Sequence, residues 1–262
     1  MYSENLMRVA IITGAAQGIG RRAAEILAER GYALALNDLR TPDETLKSVS
    51  ALGAEVVEAL GDVSDEAAVA RMAESVIARF GRVDVLVNNA GISCIKRAEE
   101  LTAAEWRRVM NVNLLGPFLC AQAFGRHMLS QHSGSIINVA SIAGLLGVAE
   151  RSAYNASKHG LVGLTRTLAA EWGGRGVRCN AVCPGWVKTP MDVSAQSEGH
   201  YSDTDITDRI PMARFASPDD IGQAIAFLAD PALSGFVNGH TLNVDGGWAA
   251  DGSWDKLRLK QR

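Results

Sequence analysis

The chain has 262 residues, of which 47% are apolar and 21% charged, a composition typical of a globular protein with a buried core. The net charge of −3 and the isoelectric point of about 6.0 argue against nucleic acid or an acidic membrane as a partner. The first apolar run, residues 9–12, is too short for a signal peptide or a membrane span, which predicts a cytoplasmic protein. The cysteines form no C-x-x-C pair and the histidines no ligand set, so we expect reduced, buried thiols and no metal.

Short apolar runs alternate with amphipathic stretches along most of the chain. The runs are rich in β-branched residues, as buried parallel strands are, and predict strands over residues 8–13, 33–37, 55–60, 83–88, 135–140, 177–183 and 240–244. The stretches between them predict helices over residues 18–30, 41–52, 65–80, 102–131, 153–175 and 218–229. This alternation predicts one α/β domain over residues 1–262, with a Rossmann-type, doubly wound parallel sheet of about seven strands flanked by helices.

A long polar segment, residues 185–217, interrupts the alternation after the sixth predicted strand. Ligands of such sheets bind at the carboxyl ends of the strands, so we interpret the segment as a substrate lid with a short helix near residues 203–209. An inert surface loop is the alternative. Plausible substrate-pocket residues in or near the lid are Ser93, Trp186, Met191 and Tyr201.

The first strand leads directly into a glycine-rich turn with the spacing G-x-x-x-G-x-G, residues 14–20. The spacing differs from the general G-x-G-x-x-G fingerprint, but the glycines still let the backbone approach a pyrophosphate, and the following helix directs its free amides at it. A turn without a ligand is the alternative, which the position between the first strand and the first helix disfavours. The candidate cofactor-binding residues are Gly14, Gln17, Gly18, Ile19 and Gly20.

A carboxylate at the end of the second predicted strand bears on the choice of nucleotide. Asp38 lies 24 residues beyond Gly14, where it can accept hydrogen bonds from the adenosine ribose and would repel a 2′-phosphate. Arg40 is the one nearby residue that favours a 2′-phosphate. The alternative interpretation of Asp38 is an aspartate that only caps a helix or a turn. We therefore predict NAD as the cofactor rather than NADP.

The third and fourth predicted strands end in polar or small residues that would line the same crevice. Asp62 can hold the adenine amino group, with Val63 beside it, and Asn89 with Gly91 can pack against the adenosine ribose. Ordinary turns are the alternative for each of these pairs. The predicted cofactor-binding residues at these two strand ends are Asp62, Val63, Asn89, Ala90 and Gly91.

A Y-x-x-x-K pattern in the fifth predicted helix suggests acid–base chemistry. Tyr154 and Lys158 are four residues apart and share one helical face, and Ser141 follows the fifth strand at the same edge of the sheet. The pKa of a tyrosine is roughly 10, and it must fall by about 3 units before the side chain can act as a base near neutral pH. That shift requires about 4 kcal/mol of stabilisation of the phenolate. A lysine ammonium at roughly 4 Å can supply stabilisation of about this size, and Ser141 can donate a hydrogen bond to the substrate oxygen. An exposed Tyr–Lys pair is the alternative.

In this order the motifs resemble the short-chain dehydrogenase/reductases, and the resemblance covers residues 8–248. It implies that Asn113, rather than Asn111, completes a catalytic tetrad and carries a water that links the lysine to solvent. It also implies cofactor contacts for Tyr154 and Lys158 and for four residues near the sixth strand, namely Pro184, Gly185, Val187 and Thr189. A homotetramer, with helices 102–131 and 153–175 in one interface, is a further implication. The C-terminal extension, residues 249–262, continues beyond the usual end of the family pattern.

Three functions fit these features. The first is an NAD-linked dehydrogenase that interconverts a secondary alcohol and a ketone, with a sugar, polyol or similar small molecule as substrate. The second is a 3-oxoacyl thioester reductase, which would normally use NADPH; Asp38 favours the first. The third is a non-catalytic nucleotide-binding regulator on the same fold, which would have no reason to keep Ser141, Tyr154 and Lys158 together.

Overall fold

The computed structural model describes residues 7–188 and 202–253. Its seven strands form one parallel sheet in the order β3-β2-β1-β4-β5-β6-β7, which confirms the predicted doubly wound architecture. The order reverses between β1 and β4, and in sheets of this kind the crevice at that reversal binds ligands. The strands are β1 (Val9–Thr13), β2 (Ala33–Asn37), β3 (Val56–Glu58), β4 (Val85–Asn88), β5 (Gly134–Val139), β6 (Val177–Pro184) and β7 (Thr241–Val244).

Helices cover both faces of the sheet. They are α1 (Gly18–Glu29), α2 (Asp43–Ala51), α3 (Glu66–Phe80), α4 (Ala103–Met110), α5 (Gly116–Gln131), α6 (Ser152–Trp172), α7 (Asp203–Thr207), α8 (Pro218–Ala229) and α9 (Pro231–Ser234). The helix predicted near 203–209 is present as α7, while α9 was not predicted. The predicted third strand is shortened to three residues because β3 is an edge strand that pairs only with β2.

The single helix predicted over residues 102–131 is interrupted, and this prediction was wrong in that respect. A π-helical segment, Asn111–Leu115, joins α4 to α5, and the Gly116 amide donates to the Asn111 carbonyl five residues earlier. Pro117 has no N–H to give to the carbonyl of Asn113, so regular α-helical bonding cannot pass this point. Similarly, the helix predicted over 153–175 ends at Trp172 and continues as a 3₁₀ turn.

The central strands are buried from both sides, as their unbroken apolar sequences predict. In β1, Ile12 packs beneath α1 and α8, together with Ile26 and Ile221. Its neighbour Ile11 points to the opposite face, where Phe124 of α5 is fully buried. The four cysteines are free, although Cys94 is only partly buried, and no helix among the described residues has the length and apolar character that a membrane span needs.

Candidate active site

A cleft of about 800 Å³ runs along the carboxyl ends of the strands, a volume within the usual range for ligand pockets. Its glycine-loop end is formed by part of the loop together with Asp38 and Asp62, and its tyrosine end by Ser141, Tyr154 and Lys158. Gly20 and Asn113 are not part of its lining, and Thr189 lies outside the described residues, as do Met191 and Tyr201. The other predicted residues that line the cleft are Gly14, Gln17, Gly18, Ile19, Val63, Asn89, Ala90, Gly91, Pro184, Gly185 and Val187.

The glycine loop is packed so tightly that side chains are excluded. Gly14 and Gly18 adopt left-handed backbone angles, with φ of 65° and 58°. A Cβ atom on Gly20 would lie 2.1 Å from the Gly14 carbonyl oxygen, so α1 can approach the loop this closely only with glycine there. Gln17 precedes α1 and its side chain does not cap the helix. The first amides of α1 and the close backbone therefore fit a phosphate group at this position.

Asn89 has a role that sequence reasoning missed. Its Nδ2 donates to the carbonyl oxygens of Thr13 (2.9 Å) and Gly14 (3.0 Å), which ties the glycine loop to the end of β4. The Thr13 hydroxyl accepts hydrogen bonds from the backbone amides of Asn89 and Ala90, each at 3.0 Å. The predicted ribose contact of Asn89 stays a prediction, whereas its amide group holds the loop.

Asp38 is held in a fixed orientation beside the loop. Its Oδ2 accepts from the Ala16 amide at 3.0 Å and its Oδ1 from the Leu39 amide at 2.8 Å. Asp62 accepts instead from the amide and hydroxyl of Ser64, at 2.8 and 2.7 Å, in a local turn. Arg40 is exposed and does not line the cleft. Asp38 and Asp62 thus place two carboxylates at this end of the cleft.

Ser141, Tyr154 and Lys158 meet at the other end. Ser141 follows β5, and its side chain hydrogen-bonds that of Tyr154 near the start of α6. The Lys158 Nζ lies 5.6 Å from the centre of the Tyr154 ring and donates to the Val139 carbonyl oxygen at 2.8 Å. A hydroxyl, a phenol and an amine thus converge at this end of the cleft.

Burial shifts both ionisable groups of this cluster towards their neutral forms. It raises the pKa of Tyr154, opposed by the Ser141 hydrogen bond and by the positive charge of Arg151. It lowers the pKa of Lys158 to about 8. The sequence predicts a lowered pKa for Tyr154, whereas in this structure the pKa is raised. The reason is that desolvation outweighs the positive charge of Arg151 and the Ser141 hydrogen bond. A protonated phenol is the form that donates a proton to a ketone oxygen.

Asn113 lies behind the cluster and connects two elements of the site. Its side chain exchanges two hydrogen bonds of 2.8 Å with the backbone of Ile92, in the chain that follows β4. Its Nδ2 also donates to the Ser157 hydroxyl at 3.1 Å, and that hydroxyl donates to the Tyr154 carbonyl oxygen at 2.7 Å. Asn113 is buried in the π-helical segment, and such segments are frequent at functional sites. Asn111, the other asparagine considered for this role from the sequence, lines the cleft instead.

The chain after β6 closes the tyrosine end of the cleft. The Gly185 amide donates to the Val244 carbonyl oxygen at 3.0 Å, and a Cβ atom on Gly185 would lie 2.8 Å from the Asp245 backbone. Val187 is buried and bridges to Ala216. Pro184 and Gly185 thus reach the cleft as the Pro-Gly motif predicts. Residues 189–201 of the predicted lid, and 254–262 of the extension, lie outside the described residues.

Three arginines in the lining were missed by sequence reasoning. Arg107 and Arg108 approach from α4, and Arg151 precedes α6 directly. A basic residue three positions before Tyr154 was a usable signal, because it begins the same helical turn as the tyrosine. Among the described residues, no three of His, Cys, Asp and Glu are grouped so that they could hold a metal ion.

Comparison with known proteins identifies the family. A family model described as enoyl-(acyl carrier protein) reductase matches residues 14–249. The chain is 42% identical to cis-4-hydroxycyclohexanecarboxylate dehydrogenase of Sinomonas cyclohexanicum, over 93% of this chain and 97% of that protein. It is 41% identical to D-threitol dehydrogenase of Mycolicibacterium smegmatis, over 92% of each. It also superposes on a crystal structure of a variant of actinorhodin polyketide ketoreductase with NADPH, with a TM-score of 0.89, 34% identity, and coverage of 94% of this chain and 98% of that one.

The chain belongs to the short-chain dehydrogenase/reductase family. It is an oxidoreductase that interconverts a secondary alcohol and a ketone with a nicotinamide dinucleotide as cofactor. The family is therefore the one that the sequence motifs resemble, and the interpretation as a non-catalytic regulator is set aside.

Proposed function

We propose that this enzyme is an NAD(H)-dependent dehydrogenase of a small secondary alcohol, with Tyr154 as its catalytic acid and base. The observation that carries the proposal is the convergence of Ser141, Tyr154 and Lys158 at one end of a cleft whose other end fits a dinucleotide. When bound, the cofactor accepts or supplies the hydride. Every other step falls to side chains of this chain.

In the direction of ketone reduction, the Tyr154 hydroxyl gives its proton to the substrate oxygen. The raised pKa of Tyr154 keeps the phenol protonated for this step, and Ser141 stabilises the negative charge that grows on the oxygen. Lys158 then provides the positive charge that favours the phenolate left behind. In alcohol oxidation the same groups act in reverse, so the phenol must first lose its proton.

Asn113 acts through its neighbours in this proposal. Its hydrogen bonds to Ile92 and Ser157 hold the start of α6 against the chain that follows β4. The Tyr154 carbonyl is part of the same network through Ser157. The water relay from Lys158 to solvent that the resemblance implies remains part of the proposal.

The cofactor lies, on this proposal, with its adenosine at the glycine-loop end and its nicotinamide at the tyrosine end. The tight loop and the amides of α1 hold the pyrophosphate, and Asp38 accepts hydrogen bonds from the ribose hydroxyls. The fixed carboxylate of Asp38 and the position of Arg40 outside the cleft both support NAD over NADP. Pro184, Gly185, Val187 and Thr189 hold the nicotinamide half, and residues 185–217 serve as a lid.

A homotetramer in the cytoplasm completes the proposal. Trp106 of α4, Leu115 of the π-helical segment and Phe118 of α5 are each 38–40% exposed, which supports an interface on this part of the chain. Light scattering should then give a mass four times the 27.8 kDa of one chain. A mass of one or two chains would contradict the tetramer and leave the catalytic proposal unaffected.

The decisive experiment follows the reduced-nicotinamide absorbance band with NAD and, separately, NADP. The substrate panel combines polyols, sugar acids and hydroxycyclohexanecarboxylates, because two of the relatives are named for a polyol and for a cyclic hydroxy acid. Turnover with NAD and loss of turnover in Tyr154→Phe are the expected results. Faster turnover with NADP would contradict the assignment of Asp38 as the selector.

A 3-oxoacyl thioester reductase is the second candidate. It is favoured by the NADPH-bound ketoreductase that the chain superposes on. Reduction of an acetoacetyl thioester with NADPH, at a higher kcat/KM than any alcohol or ketone in the panel, would establish it instead.

A further inference from the structure

The basic side chains that line the cleft differ in their exposure. Lys158 is buried and Arg151 is partly buried, both close to Tyr154, whereas Arg107 and Arg108 of α4 are exposed to solvent. Among residues 7–188 and 202–253, neither Arg107 nor Arg108 forms an ion pair. Their two guanidinium groups therefore present positive charge at the mouth of the cleft, where a ligand arrives from solvent.

The backbone of α4 is anchored on both sides of the two arginines. Thr102 and Glu105 form a capping box at the start of the helix, and the Glu105 Oε1 accepts from the Lys96 Nζ, in the chain that follows β4, at 3.0 Å. Beyond the end of α4, a Cβ atom on Gly116 would lie 2.9 Å from the Val63 side chain, in the chain that follows β3. The helix thus has a fixed place on the rim of the cleft, between the segments that follow β4 and β3.

The spacing along α4 turns both arginines towards the cleft. Ala104, Arg107, Arg108 and Asn111 all line it, at intervals of three or four residues, which places them on one side of the helix. Both arginine side chains are nevertheless exposed. Their aliphatic stems therefore border the cleft, while their charged heads stay in solvent.

The other charges of the protein give these positions a consequence for a dinucleotide. Its pyrophosphate is negatively charged, whereas the chain has a net charge of −3 and presents Asp38 and Asp62 at the glycine-loop end of the cleft. Negative charge on the protein slows the approach of an anion, and a cleft entrance lined by positive charge raises its association rate. Arg107 and Arg108 supply such charge at the entrance.

We infer that Arg107 and Arg108 steer the anionic dinucleotide into the cleft. This inference rests on the proposed function, which requires a dinucleotide, and adds a kinetic role that the catalytic proposal does not contain. Attraction between charges acts before contact is made, so it accelerates association. Exposed charges are screened by water and salt, so the same arginines contribute little to the bound state and to the rate of dissociation.

The test measures association and dissociation of NADH separately by stopped flow, through the change in reduced-nicotinamide fluorescence. One double variant, Arg107→Gln with Arg108→Gln, removes both charges, and the other, Arg107→Lys with Arg108→Lys, keeps them. The glutamine pair should lower the association rate constant by about fivefold at about 20 mM ionic strength, and by less than about twofold at about 0.5 M. Its dissociation rate constant should stay unchanged, and the lysine pair should associate at the wild-type rate. If NADPH binds and NADH does not, the same comparison is made with NADPH, whose additional phosphate increases the expected effect.

Arg30→Gln with Arg175→Gln is the matched control. Arg30 follows α1 and Arg175 precedes β6, so both lie near the edge of the sheet where strands begin, opposite the cleft, and both are exposed. This pair removes the same charge and should leave association unchanged.

Two outcomes would overturn the inference and leave the proposed function standing. Equal slowing of association in the control pair would show that only the net charge matters. Unchanged association in the variant without Arg107 and Arg108, with or without faster dissociation, would show that these arginines do not steer the dinucleotide. Failure of the wild type to bind either dinucleotide would contradict the proposed function itself, and the inference with it.

Discussion

The two ends of the cleft use different kinds of interaction. At the glycine-loop end, backbone atoms dominate: Asn89 bonds two carbonyl oxygens, Asp38 accepts from two amides, and Gly20 leaves no room for a Cβ atom. At the tyrosine end, ionisable side chains on one helix are desolvated together, and burial shifts the pKa values of Tyr154 and Lys158. In the proposed mechanism, one end recognises the dinucleotide by shape and backbone polarity, and the other end transfers a proton through side chains with shifted pKa values.

The largest expected effect isolates the tyrosine end. Tyr154→Phe removes the proton donor and should lower kcat/KM by about a thousandfold in both directions. Binding of the dinucleotide, followed by quenching of tryptophan fluorescence, should change little, because the glycine-loop end is intact. Tyr32→Phe is the matched control, since that buried hydroxyl contacts the Ala229 carbonyl far from the cleft. Equal losses in the two variants would show that the effect is structural.

A second variant acts on the other end. Gly20→Ala places a Cβ atom 2.1 Å from the Gly14 carbonyl oxygen, so the loop must move and the affinity for the dinucleotide should fall by about 100-fold. Gly163→Ala, whose Cβ atom meets no other atom within 4 Å, should retain normal binding and stabilise α6 by about 0.5–1 kcal/mol. Normal affinity in Gly20→Ala would remove the steric argument for this loop.

Lys158→Met tests whether the tyrosine end sacrifices stability for function. Burial lowers the pKa of Lys158 from 10.5 to about 8, so the buried ammonium costs about 3 kcal/mol at pH 7. The variant also loses the hydrogen bond to the Val139 carbonyl, worth about 1 kcal/mol, and should be more stable by about 2 kcal/mol while inactive.

The sign of the pH dependence sharpens this prediction. Above about pH 8 the folded protein has released the Lys158 proton while the unfolded chain keeps it up to about 10.5, so wild-type stability should rise with pH across this window. The advantage of Lys158→Met should therefore shrink as the pH approaches 10.5. Urea denaturation at about pH 7 and about pH 10 measures it, and an advantage that is the same at both would contradict a lowered pKa of Lys158 in the folded state.

The smallest expected effect concerns nucleotide choice. Asp38→Asn removes the carboxylate that would repel a 2′-phosphate, and should lower the ratio of NAD to NADP in kcat/KM by about tenfold. Asp43→Asn, an equal change in charge in the exposed first turn of α2, should leave the ratio unchanged. A ratio unaltered in Asp38→Asn would move the search for the selector to other residues of the cleft.

Local patterns were sufficient for much of this protein. The alternation of apolar runs and amphipathic stretches correctly predicts seven parallel strands and the helix that carries Tyr154. They failed at two elements. Pro117 has no N–H, and a π-helical segment interrupts the predicted long helix there. The predicted third strand is shortened because β3 lies at the edge of the sheet. The contacts of Arg151 with Trp186 and Ser93 could not be predicted, because these residues are remote from it in sequence.

The sequence by itself determined the order of strands and helices, the glycine loop, and the spacing of Tyr154 and Lys158, because each of these depends on neighbours within one turn or one strand. Only the tertiary structure decided that Asn89 holds the glycine loop and that Asn113 supports α6. It also decided the direction of the Tyr154 pKa shift. Hydrogen bonds across the sheet and loss of solvent are set by which distant segments pack together, and no local pattern records that.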